Sequence, residues 1–524
     1  ALTWWLIESR YPGFWGRFEN NYRYSDRAGI TDKAELHVYF ASLAAGADLS
    51  YYFERIGFNW NGNDPFMGYD SASEQFKSAI SAALSSGRIK NDPLKLWYLD
   101  AEAYNYTVKY GEKLAMYKGS EEVNFTVGKT AAGVSLLMDE VTDYRHLGYE
   151  ILRGSESAGY KVIGSTYGRV FTDTSPAEGE NYKVRAYDRA LGCTALSGSQ
   201  STLGAVAMVG GERYQTLAEA ISAAPAGGTV YLLSDAFAAG INIDKNITLL
   251  PESADVSVYL SASSAMFTVS GGASLTIEGA DGHTVTLDGL GTSKNEALVV
   301  SAGTLTLGGG VAVQNSVNGS ANGGALRISS GTLNLGNGAV IRDNSAANGG
   351  AIVSQAGANA TLNIVGAEFY GNSVGSNGGA IYANCIVNVS DSAFTGNSAA
   401  NGGAVCINGG GILSLAGCDF KNNSAGSEGG ALRLDGKTSF GGAVSSFSRN
   451  SAARGGAIYA AGANSARTAV ISNAQFSGNT ATEGGALYIA GFVTLGAQGS
   501  RLELDGGAVG GSTAMYVAQN ANLP

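Results

Sequence analysis

The sequence predicts a multidomain, mainly β protein with three parts: a small α-rich (α+β) N-terminal domain, a β-sandwich and a right-handed parallel β-helix. Three observations lead to this prediction. All five tryptophans lie at or before Trp97, which marks a separate globular domain. Short alternating segments divided by turn residues follow, as in a sandwich. A Gly-Gly-Ala-aliphatic motif then recurs at a nearly fixed period, which indicates stacked supersecondary units.

The N-terminal domain is expected to span residues 1–118 and to begin with helices. Apolar residues recur there at helical spacing behind capping residues such as Asp32 and Asp48. The expected elements are helices at 2–18, from Thr31-Asp32, from Asp48 and at 71–84, then strands at 94–99 and 104–108.

Several segments of residues 1–118, in their order as well as their wording, resemble the part downstream of the zinc site in enhancin-type, mucin-degrading metallopeptidases. They are Trp4-Trp5-Leu6, Tyr11-Pro12-Gly13-Phe14-Trp15, Tyr22-Arg23, Phe40-Ala41-Ser42-Leu43-Ala44-Ala45-Gly46 and Asp48-Leu49-Ser50-Tyr51-Tyr52-Phe53-Glu54-Arg55-Ile56-Gly57-Phe58. The resemblance implies a zincin that cleaves glycosylated proteins, with zinc on a His-Glu-x-x-His helix and a further Glu downstream.

The zinc motif itself does not occur in this sequence. The three histidines are His37, His146 and His283; none precedes Glu, and no two are four residues apart. A catalytic zinc needs three protein ligands and an open position. We therefore assign no catalytic and no metal-ligating residue and no cofactor in this chain, and expect zinc only in an upstream segment. His37 is expected to be a structural residue, and the chain, which opens without Met, to be a fragment.

Residues 121–198 are expected to form a small β-sandwich. The candidate strands are 123–127, 134–138, 149–153, 160–163, 169–172 and 182–187. Gly148-Tyr149-Glu150-Ile151-Leu152-Arg153, Phe171-Thr172-Asp173 and Tyr182-Lys183-Val184-Arg185-Ala186-Tyr187 resemble the last strands of fibronectin type III modules. The resemblance implies a spacer or a docking face.

The β-helix is expected over residues 205–524, behind a capping helix at about 216–224. Its seven Gly-Gly-Ala motifs lie 24 to 29 residues apart and begin at Gly323, Gly349, Gly378, Gly402, Gly429, Gly455 and Gly484. An Asn precedes each motif by five to eight residues: Asn315, Asn344, Asn372, Asn397, Asn423, Asn450 and Asn479. In five repeats a Phe lies three residues before that Asn: Phe369, Phe394, Phe420, Phe447 and Phe476.

Each repeat is long enough for one rung of three short strands and three turns. Rungs stack at about 4.8 Å, so the asparagines are expected to form a ladder of side-chain amides and the phenylalanines an internal stack. The repeats at 323–487, with Gly-Gly-Ala-Ile and Phe-x-x-Asn, resemble those of bacterial polymorphic outer-membrane adhesins. That resemblance covers about 310–490 and implies a secreted or surface-attached protein.

Charge and composition narrow the choice of partners. The net charge of −11 argues against nucleic acid or an anionic membrane as a partner. No run of 18 apolar residues occurs, so no transmembrane segment is expected. The four cysteines have no metal-ligand spacing: Cys193, Cys385, Cys406 and Cys418. A disulfide between Cys385 and Cys406 is not expected, because strand alternation places Cys385 inward and Cys406 outward one rung later.

One row of side chains on the outside of the β-helix is a candidate binding surface. If the residue after each Gly-Gly-Ala points inward, the next residue points outward. Up the stack this row reads Arg327, Val353, Tyr382, Cys406, Arg433, Tyr459 and Tyr488. Aromatic rings and guanidinium groups on a flat surface suit sugar rings or a protein partner. The alternative is that Tyr and Arg only decorate a solvent-facing strand, because tyrosine favours strands.

Three functions remain open from the sequence. The first is the non-catalytic C-terminal part of a zinc metallopeptidase acting on mucin-type glycoproteins, with the β-helix for adhesion to host glycoproteins or glycans. The second is a non-enzymatic surface adhesin or stalk. The third, a polysaccharide-active β-helix enzyme, needs clustered carboxylates on one lateral face. Those of the repeats occur at drifting offsets and are expected to be turn residues: Asp343, Glu368, Asp391 and Asp419.

Overall fold

The computed structural model of the chain describes most of its 524 residues. The described residues are 7, 14–24, 26–50, 53, 59–60, 64–65, 72–90, 117, 119–130, 132–143, 146–176, 181–188, 193–201, 204–291, 293–462, 464, 468–496, 502–504 and 514–518. The chain divides into two compact units. Residues 1–127 and 133–202 form the first unit, and residues 128–132 and 203–524 form the second.

Three helices of the first unit enclose an apolar core. They are α1 (Phe14–Tyr24), α2 (Lys33–Ala45) and α3 (Glu74–Ser85). The side chain of Asp32 accepts a hydrogen bond from the Glu35 amide and caps α2, which ends at Gly46 in the left-handed region. Glu35 then accepts two bonds of 2.6 Å from Ser73, the N-cap residue of α3. The helices expected from Asp32 and at 71–84 are thus confirmed.

Other expected elements of this region lie partly or wholly outside the described residues. The first expected helix ended at Phe18, but α1 continues to Tyr24, because Phe18 and Tyr22 stack along one face and Tyr22 packs on His37 of α2 at 4.9 Å. Of the helix expected from Asp48, only residues 48–50 and 53 are described; Ser50 and Phe53 are helical, and the Phe53 amide donates to the Leu49 carbonyl at 3.1 Å. The strands expected at 94–99 and 104–108 lie outside the described residues. Two short strands that were not expected, Asn59–Trp60 and Asp64–Pro65, pair in antiparallel fashion.

The expected six strands of the sandwich region are all present, in two antiparallel three-stranded sheets. One sheet contains Phe125–Thr130, Gly133–Met138 and Val170–Asp173. The other contains Gly159–Thr166, His146–Ser155 and Asn181–Asp188. Alternate residues such as Leu136, Ile151 and Val184 are fully buried between them. The boundary expected near residue 120 stays a prediction, because residues 91–116 lie outside the described ones.

The second unit is a parallel β-helix, as the repeats predicted. Helix α4 (Leu217–Ala223) begins with the capping box of Thr216 and Glu219, and it buries its apolar residues against the core of the first rungs. A hairpin of Ala207–Val209 and Glu212–Tyr214 pairs with the first rung through Ala207 and Met208. The expected capping helix is therefore confirmed in place and type.

Four columns of strands, named sheets A to D, run along the β-helix. Sheet A contains Ile241–Ile243, Phe267–Val269, Val299–Ser301, Leu326–Ile328, the first part of Ile352–Val365, the first part of Ile381–Ser390, Val405–Ile407, Leu432–Leu434, Ile458–Ala460, Leu487–Ile489 and Met515–Val517. Sheet B contains Gly228–Leu232, Ile247–Pro251, Ser274–Ile277, Thr304–Leu307, Gly331–Leu335, the second parts of Ile352–Val365 and Ile381–Ser390, Ile412–Ala416, Lys437–Phe440, Ala469–Ile471 and Val493–Leu495.

Sheet C runs along the whole β-helix, whereas sheet D is confined to the rungs of the Gly-Gly repeats. Sheet C contains Ala236–Ala238, Val256–Leu260, Val285–Asp288, Val311–Gln314, Val340–Arg342, Glu368–Tyr370, Ala393–Thr395, Asp419–Lys421, Ser445–Ser448, Ala474–Ser477 and Leu502–Leu504. Sheet D contains Val317–Asn322, Ser345–Asn348, Ser373–Asn377, Ser398–Asn401, Ser424–Glu428, Ser451–Arg454 and Thr480–Glu483. The rungs of the Gly-Gly repeats thus hold four strands, one more than expected, because the segment between Asn and Gly-Gly also pairs.

The two glycines of each Gly-Gly pair are required for different reasons. Gly378 has a φ of +65°, which L side chains rarely adopt. Gly379 has no such φ, but a Cβ there would lie 2.1 Å from the carbonyl oxygen of Gly403 in the next rung. The first glycine turns the chain, and the second lets adjacent rungs approach.

The asparagine ladder is present and buried, and its interior members are hydrogen-bonded to the rungs on both sides. In Asn397, Nδ2 donates to Asn423 Oδ1 at 3.0 Å and to the Phe369 carbonyl at 3.0 Å. Its Oδ1 accepts from the amide and Nδ2 of Asn372 at 3.1 and 3.0 Å. The first repeat corrects the prediction, because Ser316 rather than Asn315 occupies the ladder position and Asn315 lies in a left-handed turn.

The phenylalanines form the expected stack inside sheet C. Successive ring centroids lie 4.7, 4.7, 4.8 and 5.0 Å apart from Phe369 to Phe476. Cys385 and Cys406, which were not expected to form a disulfide, are buried free thiols, and Cys418 is a third. Among the described residues, no helix is long and apolar enough to cross a membrane.

Candidate functional site

The outward row of sheet A is assembled by the in-register pairing of its strands. Each member lies beside the next: Arg327–Val353, Val353–Tyr382, Tyr382–Cys406, Cys406–Arg433, Arg433–Tyr459 and Tyr459–Tyr488. Tyr516 continues the row beyond Tyr488. These residues alternate with the buried aliphatic residues of the same strands, so their side chains lie outside the apolar core.

The five residues selected from the sequence fall into separate groups along this row. Arg433, Tyr459 and Tyr488 are consecutive, whereas Cys406 separates them from Tyr382, and Val353 separates Tyr382 from Arg327. Arg327 forms an ion pair with Glu296 at 2.5 Å. Asn408 donates a hydrogen bond to the Tyr382 hydroxyl at 3.2 Å. The structure therefore brings together three of the five residues.

The tyrosines of the row are stacked and largely covered. The rings of Tyr459 and Tyr488 lie 5.1 Å apart, and those of Tyr488 and Tyr516 lie 4.8 Å apart. Only 9% of Tyr459 and 7% of Tyr488 is exposed, against 37% of Tyr516. Burial is the main cause that raises the pKa of Tyr459. A ligand would therefore reach the ring of Tyr516 more easily than the rings of Tyr459 and Tyr488.

Arginine and carboxylate side chains surround the stacked rings. The Arg454 guanidinium lies 5.5 Å from the Tyr459 ring and 5.6 Å from the Tyr488 ring. Arg454 also pairs with Glu428, which lies 3.3 Å from Arg433. Arg433 in turn contacts Asp435 at 3.0 Å. The two arginines and two carboxylates neutralise one another, which favours a structural role for this cluster. Arg433 and Arg454 are nevertheless partly exposed to solvent.

Sequence reasoning missed Glu428 and Arg454, although the sequence carries a signal for them. They immediately precede Gly-Gly, and the pairing of sheet D aligns these positions in one further ladder. Its members are Asn322, Asn348, Asn377, Asn401, Glu428, Arg454 and Glu483. The amides hydrogen-bond one another in this ladder, as Asn377 does with Asn348 at 2.9 Å.

The remaining residues considered from the sequence, His37 and four carboxylates of the repeats, lie in the core of the first unit, in turns or on an exposed sheet face. The ring of His37 is buried, its Nδ1 lies 2.8 Å from the Lys33 carbonyl, and burial lowers its pKa. Asp343 and Asp391 occupy left-handed turns, while Glu368 and Asp419 are exposed on sheet C, two rungs apart. Within the described ranges, no three His, Cys, Asp or Glu side chains form a group that could hold a metal ion.

Comparison with protein families finds repeats of a known type in the β-helix. Residues 366–384, 444–461 and 473–490 match the Chlamydia polymorphic membrane protein repeat. Each stretch runs from a sheet C strand through the Asn and Gly-Gly turns to sheet A. The matches lie inside the range expected from the sequence, and they confirm that part of the resemblance. No curated protein matches the chain.

Three solved structures illustrate the structural similarities. The M60 catalytic domain of Clostridium perfringens ZmpC, in complex with the sialyl T antigen, is 23% identical over 37% of this chain and 34% of its own, with a TM-score of 0.18. Pectate lyase PelI from Erwinia chrysanthemi is 12% identical over 58% and 86%, with a TM-score of 0.17. A family 28 exopolygalacturonase from Yersinia enterocolitica is 10% identical over 77% and 99%, with a TM-score of 0.20.

These structural similarities carry no argument about function, since every TM-score is far below 0.5. The match to the first structure covers about a third of that structure. What the comparisons establish is that three stretches of the β-helix match repeats of the polymorphic membrane protein type.

Proposed function

We propose that this chain is part of a secreted or surface-attached bacterial protein whose β-helix recognises host glycoproteins or glycans. The observation that supports the proposal most directly is the match of three stretches to repeats of polymorphic membrane proteins. The rungs place outward side chains in straight rows along a rigid stack, which gives an extended lateral surface for a partner.

For residues 1–118 we propose the C-terminal portion of a zinc metallopeptidase acting on mucin-type glycoproteins. The support is the order of the segments around Tyr11-Pro12-Gly13, Phe40-Ala41-Ser42 and Asp48-Leu49-Ser50. A non-enzymatic adhesin is the second candidate, and the sequence upstream of Ala1 separates the two. A His-Glu-x-x-His helix there supports the peptidase, and a sequence without one leaves the adhesin.

Binding of the whole chain to a mucin-type glycoprotein tests the recognition function. The chain is passed over immobilised mucin before and after enzymatic removal of its O-linked glycans. We expect saturable binding that falls after glycan removal. Binding that is absent from both surfaces would contradict the proposal, and equal binding to both would show that protein rather than glycan is recognised.

The tyrosine row can be tested in the same assay. A double variant, Tyr459→Ala with Tyr488→Ala, removes two stacked rings and is expected to weaken binding about tenfold if the row contacts the ligand. The matched control, Tyr459→Phe with Tyr488→Phe, keeps the stack and the packing of Arg454. Binding that is unchanged in the alanine variant removes the row from the proposed surface.

A further inference from the structure

A groove follows the outer face of sheet B across four consecutive rungs. Its volume is about 480 Å³. One wall is a polar row made by Asn363, Asn388, Ser414 and Ser439, which pair in register from rung to rung. The repeat pattern predicted no binding residue on this face, because the face lies on the strands between the glycine motifs.

The second row of the groove explains why the surface is concave there. Two residues further along each strand lie Val365, Ser390 and Ala416, and Gly441 follows in the next rung. The side chain in this row becomes smaller along the axis, from valine to glycine. A Cβ added at Gly441 would have no atom within 4 Å, so the groove is open at that end.

The polar row has hydrogen-bonding capacity directed away from the core. Nδ2 of Asn388 donates to Asn363 Oδ1 at 3.0 Å, and Asn363 donates in the same way to Asn334. Among the described residues, no hydrogen bond joins Asn388 Oδ1 or the hydroxyls of Ser414 and Ser439 to a protein partner. One amide or hydroxyl is thus offered by each rung.

The lack of charged lining residues and the spacing of the rungs restrict the chemical class of ligand that the groove can bind. No charged side chain lies among its lining residues, and the chain as a whole is acidic. An anionic polymer would find no counter-charge among these lining residues; the exposed Lys437 lies outside them, two residues before Ser439. The stacked phenylalanine rings put the rung spacing at 4.7 to 5.0 Å. An extended peptide repeats at about 3.3 Å per residue and pairs with a sheet edge rather than a sheet face.

From these observations we infer that the sheet B groove binds an uncharged linear glycan lying along the β-helix axis, with one sugar unit near each rung. A sugar unit in an extended chain advances by a distance similar to the rung spacing, so successive hydroxyl or acetamido groups meet successive members of the polar row. The small second row leaves room for the rings. This inference rests on the proposed recognition function and assigns it a ligand class and a site.

The test uses the whole chain, with isothermal titration against cellohexaose, chitohexaose and hexagalacturonate. Gly441→Trp fills the groove, and Ser414→Ala with Ser439→Ala removes two hydroxyls without creating bulk. Gly375→Trp is the matched control, since Gly375 is an exposed sheet D glycine with no atom within 4 Å of an added Cβ. Circular dichroism checks that each variant keeps its fold.

We expect an uncharged hexasaccharide to bind, Gly441→Trp to weaken that binding at least about tenfold, and the double serine variant to weaken it by a smaller factor. Gly375→Trp should bind as the unaltered chain does. Preferential binding of hexagalacturonate, or equal binding by Gly441→Trp and the unaltered chain, overturns the inference. If the chain binds mucin but neither uncharged hexasaccharide, the groove assignment fails and the recognition function stands; if it binds none of them, both fail.

Discussion

Asn397 shows at the scale of one residue why the repeats tolerate a polar side chain in their interior. It is fully buried, yet its amide makes two donor and two acceptor hydrogen bonds with neighbouring rungs. Buried polar groups are costly only when they lack partners. The ladder therefore both connects the rungs and fixes their register.

Removing one member of the ladder should destabilise the β-helix. Asn397→Ala leaves the amide and Nδ2 of Asn372 and the Phe369 carbonyl without their partners. We expect a loss of about 3 kcal/mol, measured as a lower urea midpoint of unfolding. Asn388→Ala is the control on an exposed ladder and should cost less than about 1 kcal/mol. Equal losses in both variants would contradict the role of burial.

Lys294 is a buried basic residue that should make the stability of the β-helix depend on pH. It is 3% exposed, and no described group hydrogen-bonds to its Nζ. Burial lowers the pKa of Lys294 to about 7, although the nearby carboxylate of Asp288 favours the charged form. The unfolded chain, with an ordinary lysine pKa, binds this proton more strongly than the folded chain does.

Stability should therefore rise with pH above about 7, the folded pKa, until the ordinary lysine pKa is reached. The gain from this group is at most about 1.4 kcal/mol per pH unit, and below the folded pKa its contribution is constant and unfavourable. Lys294→Met should be more stable than the unaltered chain at pH 7 and should lose this slope. If the urea midpoints of the two proteins change with pH in parallel, the pH dependence does not come from the lowered pKa of Lys294.

At the scale of an element, the phenylalanine stack of sheet C makes neighbouring rungs depend on one another. Phe420 lies between two rings at 4.7 and 4.8 Å, whereas Phe369 has Phe394 on one side and the aliphatic Ile341 on the other. The stack thus has a centre and an end, which differ in their aromatic contacts although both residues are fully buried.

Substitution of the central ring should cost more than substitution of the terminal one. We expect Phe420→Leu to lower the free energy of unfolding by about 1 kcal/mol more than Phe369→Leu, because it breaks two ring contacts instead of one. Chemical denaturation followed by circular dichroism measures both. A larger loss in Phe369→Leu would show that aromatic stacking does not set the difference.

The whole β-helix is a repetitive stack in which each rung contacts mainly its neighbours. Stability in such proteins is close to a sum of rung terms and interface terms. Residues 402–428 span one rung, from Gly402 to the residue before Gly429. After their removal, the rungs on either side can pair in the same register, and each ladder has one member fewer.

Deletion of residues 402–428 should therefore leave a folded, shorter β-helix with a strand-rich circular dichroism spectrum and a cooperative unfolding transition. Deletion of residues 402–414, about half a rung, is the control. It should give an aggregated or protease-sensitive protein, since it places strands of one sheet against another. Equal protease resistance of the two deletions would contradict the rung boundaries.

Much of the β-helix could be predicted from the sequence, since Asn397, Phe420 and Gly378 each repeat at the rung period and the period forces like residues together. The candidate site could be predicted only in part. The order of Arg433, Tyr459 and Tyr488 follows from the repeat, but their exposure depends on Arg454 and Glu428, which belong to sheet D.

The sequence by itself determined the period, the inward and outward alternation, the phenylalanine stack and every member of the asparagine ladder except the first, because stacking copies one local pattern along an axis. The tertiary structure alone decided that sheet D pairs as a fourth column, that Ser316 replaces Asn315 in the ladder, and that the tyrosine row is covered while a groove opens on sheet B. Exposure and concavity depend on the sizes of side chains from several rungs and sheets at once, and no single repeat specifies them.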